Sequence, residues 1–170
     1  QAQRFGFFGD RPIEEAADHS VQFVTALADR PAGERWIDLG AGGGLPGLVI
    51  AEARSDIELT LLDRRAKRTD FLERAVRRLG FAHVEVRSLD AERLVAAVAS
   101  GDEQRFDVAV ARGFGPPETT LRLALELVAD GGSIVISDPP RTGRWELIPL
   151  ASLGLAERRI GTVTRFDRQH

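Results

Sequence analysis

The chain contains 170 residues, carries a formal net charge of −3 and lacks cysteine. This length is enough for one domain with its own core, and the acidic balance argues against a protein that coats DNA by charge alone. The missing cysteine excludes disulfides, thiolate metal ligands and thiol nucleophiles, and because we find neither a run of about 18 apolar residues nor a start typical of a signal peptide, we expect no membrane span and a cytoplasmic location.

The first predicted element is an amphipathic helix over residues 11–29, where apolar residues recur at helical spacing. Methionine is absent from the chain, so we expect that the N-terminus shown has been trimmed. We expect one domain over residues 1–170. Within it, residues 1–30 form a lead and a helix, residues 34–137 form a cofactor-binding core, and residues 138–170 form a C-terminal hairpin region.

A buried strand, a glycine-rich turn and an apolar helix follow over residues 36–53. Glycine lets the backbone pass close to a bound molecule, because no Cβ intervenes. The first turn of the next helix offers N–H donors that have no partner within the helix. Such a strand–turn–helix unit is typical of a nucleotide- or nucleoside-binding site.

Two kinds of cofactor compete for this turn. Residues 42–47 satisfy G-x-G-x-x-G, the dinucleotide pattern, which is weak by itself. The alternative is Asp38-x-Gly40-x-Gly42-x-Gly44, which resembles motif I of the class I S-adenosylmethionine-dependent methyltransferases. Asp38 favours the second interpretation, because a carboxylate there can anchor the turn or the ammonium group of the cofactor but would repel a pyrophosphate.

The second strand, over residues 57–63, ends in Asp63 at the edge where open α/β sheets bind ligands. An acid about 20 residues past a glycine turn can accept hydrogen bonds from ribose hydroxyls. Asp63 therefore indicates adenosine binding, without separating NAD from S-adenosylmethionine.

The next helix, over residues 65–79, has one basic face. That face is either a solvated surface or a phosphate-contacting surface for nucleic acid. Its candidate nucleic-acid contacts are Arg64, Lys67, Arg68, Arg74, Arg77 and Arg78.

The remaining elements continue the alternation. Strands are predicted at 84–86, 106–112 and 133–137, with helices at 93–99 and 119–129, and Asp130-Gly131-Gly132 is expected to close the second of these helices. Two strands at 155–160 and 162–166 read as a hairpin. The fold class predicted is α/β, a doubly wound, mostly parallel sheet that ends in an antiparallel hairpin. This ending favours a methyltransferase over a dinucleotide-binding half.

Several segments of the chain form one set of motifs. They are Ile37-Asp38-Leu39-Gly40-Ala41-Gly42-Gly43-Gly44-Leu45-Pro46-Gly47, Leu61-Leu62-Asp63, Lys67-Arg68, Phe71-Leu72, Ala91-Glu92, Phe106-Asp107-Val108 and Ala111-Arg112-Gly113-Phe114. Taken together, they closely resemble one family, the 16S ribosomal RNA guanine-N7 methyltransferases, also called the glucose-inhibited division protein B family. The resemblance covers about residues 12–137.

The resemblance implies a class I Rossmann-like fold, S-adenosyl-L-methionine as cofactor, and ribosomal RNA or the small ribosomal subunit as partner. Guanine N7 already has a free lone pair, so the reaction it implies needs positioning and desolvation more than proton removal. Arg112 is expected to position the cofactor and to orient the acceptor. We expect no metal and a monomer. The expected cofactor-binding residues are Asp38, Gly40, Ala41, Gly42, Leu45, Asp63, Ala91, Glu92 and Arg112.

The chain also departs from the family. An Asn-Leu-Thr-type segment before motif I is missing, and residues 137–141 replace a lysine–glycine pair, as in a diverged or N-terminally shortened member. We interpret Asp138-Pro139-Pro140, which is similar to a motif of amino-group methyltransferases, as a loop. The alternatives left open are a small-molecule methyltransferase, a non-enzymatic S-adenosylmethionine-binding module and an NAD-dependent oxidoreductase.

Overall fold

A computed structural model describes residues 13–138, 145 and 148–169. Among the helices it describes, none is both long and apolar enough to cross a membrane. The helices are α1 (Ile13–Ala26), α2 (Gly47–Ala53), α3 (Ala66–Leu79), α4 (Ala91–Ser100) and α5 (Pro117–Leu127), with a 3-10 turn at Leu150–Leu153. The strands are β1 (Arg35–Leu39), β2 (Glu58–Asp63), β3 (Val84–Ser88), β4 (Phe106–Ala111), β5 (Val128–Ser137), β6 (Leu155–Ile160) and β7 (Val163–Arg168).

The strands form one seven-stranded sheet in the order β3-β2-β1-β4-β5-β7-β6. Strands β1 to β5 pair in parallel, and β7 runs antiparallel to both β5 and β6. This arrangement confirms the predicted doubly wound sheet with its closing hairpin. The strand order reverses between β1 and β4, and such a reversal opens a crevice at the carboxyl ends of the strands.

The core has two apolar layers because successive strand residues point to opposite faces of the sheet. Trp36 packs with Phe23 and Leu72 under α1, α2 and α3. Ile37 belongs to the other layer, under α4 and α5. A strand that is covered on both faces must be apolar on both, which explains why β1, β2 and β4 read as nearly continuous apolar runs.

One predicted boundary was wrong, at Asp130-Gly131-Gly132. Helix α5 ends at Leu127, and these three residues lie inside β5 rather than closing the helix. The pairing of β4 with β5 shifts register there, which makes a bulge. Gly131 has φ +77, and a Cβ on Gly132 would lie 2.6 Å from the carbonyl oxygen of Asp107. The glycines are therefore needed for the bulge.

Helix α1 is held against the closing hairpin by polar contacts. Arg165 of β7 is buried, donates a hydrogen bond to the carbonyl oxygen of Ala26 (2.7 Å) and pairs with Asp29. At the other end of the hairpin, the backbone N–H of Thr162 donates to Gln22 Oε1 (2.6 Å). Because Val163 pairs with Ser137 at the end of β5, the hairpin turn lies at the carboxyl edge of the sheet.

Candidate active site

The glycine turn between β1 and α2 adopts a backbone that other residues rarely take. Gly40 and Gly42 have φ values of +70 and +55, in the left-handed region that glycine enters without a steric cost. A Cβ on Gly40 would lie 2.7 Å from Cδ2 of Phe114. The turn therefore runs directly beneath the aromatic ring of the loop that follows β4.

Asp38 fixes the far end of this turn. Its buried carboxylate accepts a hydrogen bond through Oδ2 from the backbone N–H of Gly47 (2.9 Å), so the strand holds the first residue of α2. Burial raises the pKa of Asp38 to about 7, an effect that the neighbouring charge of Asp63 reinforces and that the Gly47 N–H and Arg112 oppose. Asp38 thus anchors the turn, which is the first of the two roles that its position suggested.

Asp63 joins the end of β2 to the same turn. Its Oδ2 accepts a hydrogen bond from the backbone N–H of Gly42 (3.0 Å), and its Oδ1 accepts one from the N–H of Arg65 (2.9 Å). Nη1 of Arg68 lies 3.3 Å from Oδ2. A carboxylate offers about four acceptor positions. With these three donors, the carboxylate of Asp63 therefore still has acceptor capacity.

A cavity of about 410 Å³ opens at the carboxyl ends of the strands around the reversal of strand order. Its walls combine apolar side chains with six charged ones. It is lined by Gly40, Leu62, Asp63, Arg64, Arg65, Arg68, Leu89, Asp90, Ala91, Glu92, Gly113, Phe114, Gly115, Pro116, Thr119 and Leu123. Apolar side chains next to a carboxylate suit a flat heterocycle that carries a sugar.

The predicted cofactor-binding residues fall into three groups. Gly40, Asp63, Ala91 and Glu92 are among those that line the cavity. The second group, Asp38, Ala41, Gly42 and Leu45, belongs to the glycine turn or supports it. Asp38 holds Gly47, and Gly42 donates to Asp63. The N–H of Ala41 donates to the carbonyl oxygen of Leu62 (2.9 Å), and Leu45 is joined to Pro46 by a cis peptide bond. Arg112 forms the third group.

Arg112 points toward α1. Its Nη1 lies 3.5 Å from the carbonyl oxygen of Ala16, and it lines a second cavity, of about 350 Å³. The next residue along the chain, Gly113, lines the first cavity. The two cavities therefore flank the end of β4, with Arg112 on the α1 side.

The basic side chains near α3 separate by position. Arg64 and Arg68 both line the first cavity, but Arg64 is well exposed and reaches to 3.9 Å from Asp90, while Arg68 is half-buried against Asp63. Lys67, Arg74, Arg77 and Arg78 are exposed along the helix. At 1.5 Å per residue, Arg78 lies about 18 Å beyond the first residue of α3.

Sequence reasoning gave no role to Phe114, which forms part of the wall of the first cavity and covers Gly40. The available signal was a single aromatic residue between Gly113 and Gly115, directly after a strand that ends at the ligand-binding edge. Leu123 and Thr119 of α5 were also missed, because their pattern is that of an ordinary amphipathic helix.

The Asp138-Pro139-Pro140 segment begins with a carboxylate that is already engaged. Asp138 accepts hydrogen bonds from Nε1 of Trp145 (2.8 Å) and from the hydroxyl of Thr164 (2.6 Å). Pro139, Pro140 and Arg141 lie outside the described residues, as does the lead before Ile13. Across the residues that the structure describes, no three acidic or histidine side chains are grouped as metal ligands.

Comparison with known proteins identifies a family and several relatives. The family model for rRNA small subunit methyltransferase G matches residues 3–138. A relative of that name from Salinispora tropica is 36% identical over 132 residues, which cover 76% of this chain and 54% of the relative. Another, from Laribacter hongkongensis, is 40% identical over 115 residues, which cover 66% of this chain and 53% of the relative. The chain thus spans about half the length of these relatives.

A solved structure of an S-adenosylmethionine-dependent O-methyltransferase from Thermotoga maritima matches with a TM-score of 0.64 at 18% identity, over 90% of this chain and 65% of that one. This likeness confirms the predicted class I methyltransferase fold. The family match also confirms the resemblance read from the sequence. The chain belongs to the rRNA small subunit methyltransferase G family.

Proposed function

We propose that this protein is an S-adenosyl-L-methionine-dependent methyltransferase that modifies guanine N7 in small-subunit ribosomal RNA. The observation that carries the proposal is the position of Asp63. Its carboxylate lies in the wall of a nucleoside-sized cavity, and the same carboxylate holds the glycine turn through the N–H of Gly42. Membership of a family whose relatives are named as ribosomal RNA methyltransferases supports the substrate class.

The first cavity fits an adenosine group. Asp63 retains acceptor capacity for ribose hydroxyls, and the apolar side chains of Leu62, Leu89 and Phe114 provide faces for the adenine ring. Ala91 and Glu92, at the start of α4, border the same cavity. We therefore infer that these residues hold the adenosyl end of S-adenosylmethionine, which supplies an activated methyl group when bound.

We assign Arg68 to this cavity rather than to the RNA surface. Its guanidinium lies between Asp63 and Gly42, where a Cβ on Gly42 would meet Nη1 at 3.2 Å. A cation beside Asp63 holds that carboxylate in one orientation through a charge-assisted contact. Arg68 therefore acts as a positioning residue for Asp63.

The reaction requires alignment of the acceptor atom with the methyl group more than it requires proton transfer. Guanine N7 carries its own lone pair, so no general base is needed before attack, and the enzyme works by holding the acceptor about 3 Å from the methyl carbon and excluding water. Arg112, at the end of β4 between the two cavities, is suited to orient groups on either side. An arginine bound to O6 and N7 would block the attack, so we assign it a positioning role.

The exposed residues Arg64, Lys67, Arg74, Arg77 and Arg78 form a basic face that we propose contacts RNA phosphates. Replacing Arg74, Arg77 and Arg78 together by glutamate should lower RNA affinity at least about tenfold at low salt and flatten its salt dependence, since each lost phosphate contact removes about 0.7 to 0.9 from the logarithmic slope. Affinity for S-adenosylhomocysteine should stay unchanged. If RNA affinity is unchanged by this charge reversal, the basic face is a solvated surface that does not contact RNA.

The proposal as a whole is tested by incubating the protein and labelled S-adenosylmethionine with three acceptor pools. These are small ribosomal subunits that lack N7-methylguanosine, free ribosomal RNA and a metabolite extract. We expect label in the RNA of the subunits or in free RNA, recovered as N7-methylguanosine after digestion. Label confined to the metabolites would instead establish a small-molecule enzyme.

We further propose that the protein acts as a monomer in the cytoplasm, where ribosomal subunits are present. Light scattering of the purified protein should give a mass close to the 18.6 kDa of one chain. A mass near twice that value at micromolar concentration would contradict a monomer.

A further inference from the structure

The second cavity lies on the opposite side of the β4 end from the cofactor cavity. It is bounded by α1, by Arg112 after β4, and by Thr162 in the hairpin turn, all at the carboxyl edge of the sheet. Its volume of about 350 Å³ is within the range of ligand cavities, which begins near 300 Å³. It is therefore large enough for a nucleobase and lies next to the proposed cofactor site.

One face of α1 supplies most of its polar groups. Glu15, Asp18, His19 and Gln22 follow the helical spacing of three to four residues and line the cavity together. His19 and Gln22 are engaged with Thr162, through Nδ1 at 2.7 Å from its hydroxyl and through Oε1. These contacts close the hairpin side of the cavity. Glu15 and Asp18 remain as exposed carboxylates on the same face.

Carboxylates select the kind of base that such a cavity can hold. The Watson–Crick edge of guanine presents two adjacent donors, N1–H and the N2 amino group, which one carboxylate can accept together. Adenine and cytosine each offer a single amino group beside an acceptor nitrogen, which a carboxylate repels. Bases outside a duplex are commonly read on this edge.

We propose that the second cavity receives the acceptor guanine, with Glu15 and Asp18 accepting hydrogen bonds from its Watson–Crick edge. This assignment rests on the proposed methyl transfer. It deepens that proposal by naming the residues that select the base. A guanine held by this edge keeps N7, on its opposite side, free for attack. The cavity on one side of Arg112 then holds the acceptor, and the cavity on the other side holds the cofactor.

The test compares guanosine 5′-monophosphate with inosine 5′-monophosphate, which lacks only the N2 amino group. Both are titrated by NMR into the full chain saturated with S-adenosylhomocysteine. A hydrogen bond to a charged acceptor corresponds to about tenfold or more in affinity, so we expect the guanosine nucleotide to bind about tenfold more tightly. In a variant with Glu15→Gln and Asp18→Asn, this preference should fall below about twofold.

Glu14→Gln is the matched control, because Glu14 is exposed on the same helix turn but points about 100° away from Glu15. It should keep the full preference for guanosine. Equal binding of the two nucleotides to the unmodified chain, or a preference that persists in the double variant, would overturn the assignment. Calorimetry with S-adenosylhomocysteine on the same samples separates the two proposals, since loss of cofactor binding defeats the methyltransferase function itself.

Discussion

Replacing Asp63 by asparagine tests the residue on which the proposed cofactor site depends. The carboxylate accepts two backbone N–H groups, from Gly42 and Arg65, and lies beside the guanidinium of Arg68. Asparagine keeps one oxygen and turns an amino group toward donors that need an acceptor. It therefore removes the charge and part of the acceptor capacity with almost no change in shape.

The expected loss follows from the hydrogen bond to the ribose. A hydrogen bond to a charged acceptor contributes about 1.5 to 3 kcal/mol, and each 1.4 kcal/mol corresponds to about a factor of ten. The Kd of S-adenosylhomocysteine, measured by titration calorimetry, should therefore rise about 10- to 100-fold. Asp70→Asn is the control, because Asp70 is exposed on α3 outside the cavity lining.

A ribose-modified ligand separates a lost contact from a distorted turn. The unmodified chain should bind S-adenosylhomocysteine more tightly than its 2′-deoxy and 3′-deoxy analogues. If Asp63 contacts the sugar, Asp63→Asn should bind all three with nearly equal affinity. A variant that still discriminates as strongly as the unmodified chain, or that binds the parent ligand within twofold of it, would refute the reasoning.

Three further outcomes are expected. Gly47→Ala should lower the free energy of unfolding by about 1 to 3 kcal/mol, because its Cβ would lie 2.6 Å from Asp38 Oδ2 and closer still to Leu61. Denaturant unfolding measures this against the control Gly115→Ala, where the Cβ has ordinary space. Equal unfolding free energies for the two variants would contradict the prediction. The raised pKa of Asp38, about 7 in the folded state against 3.8 as its usual value, means that the protonated carboxyl stabilises the fold below about pH 4 and that this contribution is lost as the pH rises toward 7. Asp38→Asn should therefore gain in melting temperature relative to the unmodified chain between pH 5 and 8, and a constant difference would refute the shift. Phe114→Ala should weaken binding of S-adenosylhomocysteine about tenfold while Phe114→Leu keeps most of it, because the half-buried ring supplies apolar area to the cavity wall. Equal losses in the two variants, measured by calorimetry, would contradict this explanation.

The parts of the site that could be predicted from the sequence are those that depend on the spacing of neighbouring residues. Asp38 stands two residues before Gly40, and Asp63 ends the next strand, so their spacing alone indicated a turn and a carboxylate at one sheet edge. The structure adds something that spacing could not give. The two acids are linked through backbone N–H groups of the turn itself, at Gly42 and Gly47.

The boundary after α5 failed because a long-range contact decides it. Two glycines after an apolar helix usually indicate a helix C-terminus. Here Val128 pairs with Phe106 of β4 and draws the chain into the sheet before the glycines are reached. Nothing within ten residues of Gly132 signals the approach of the Asp107 carbonyl oxygen.

The directions in which long side chains point could not be predicted from the sequence either. Arg68 belongs to a basic helix whose other basic residues are exposed, yet its place in the first turn of α3 brings it against Asp63 in the cavity wall. Arg112 and Gly113 are neighbours in the chain, but they line different cavities because α1 covers only one side of the β4 end. Assignments of this kind depend on which helix packs over each strand end, and that is a property of the assembled fold.

The hold of β7 on α1 has a consequence for protein engineering. Arg165 is hydrogen-bonded to the last turn of α1, and Thr162 is hydrogen-bonded to its middle, so the N-terminal helix and the C-terminal hairpin are joined at two points. Shortening the protein to the portion that stops after β5 would leave Ala26 and Gln22 without these contacts. A chain cut in this way would remove Thr162 from the lining of the second cavity, even though it kept every residue around Asp63.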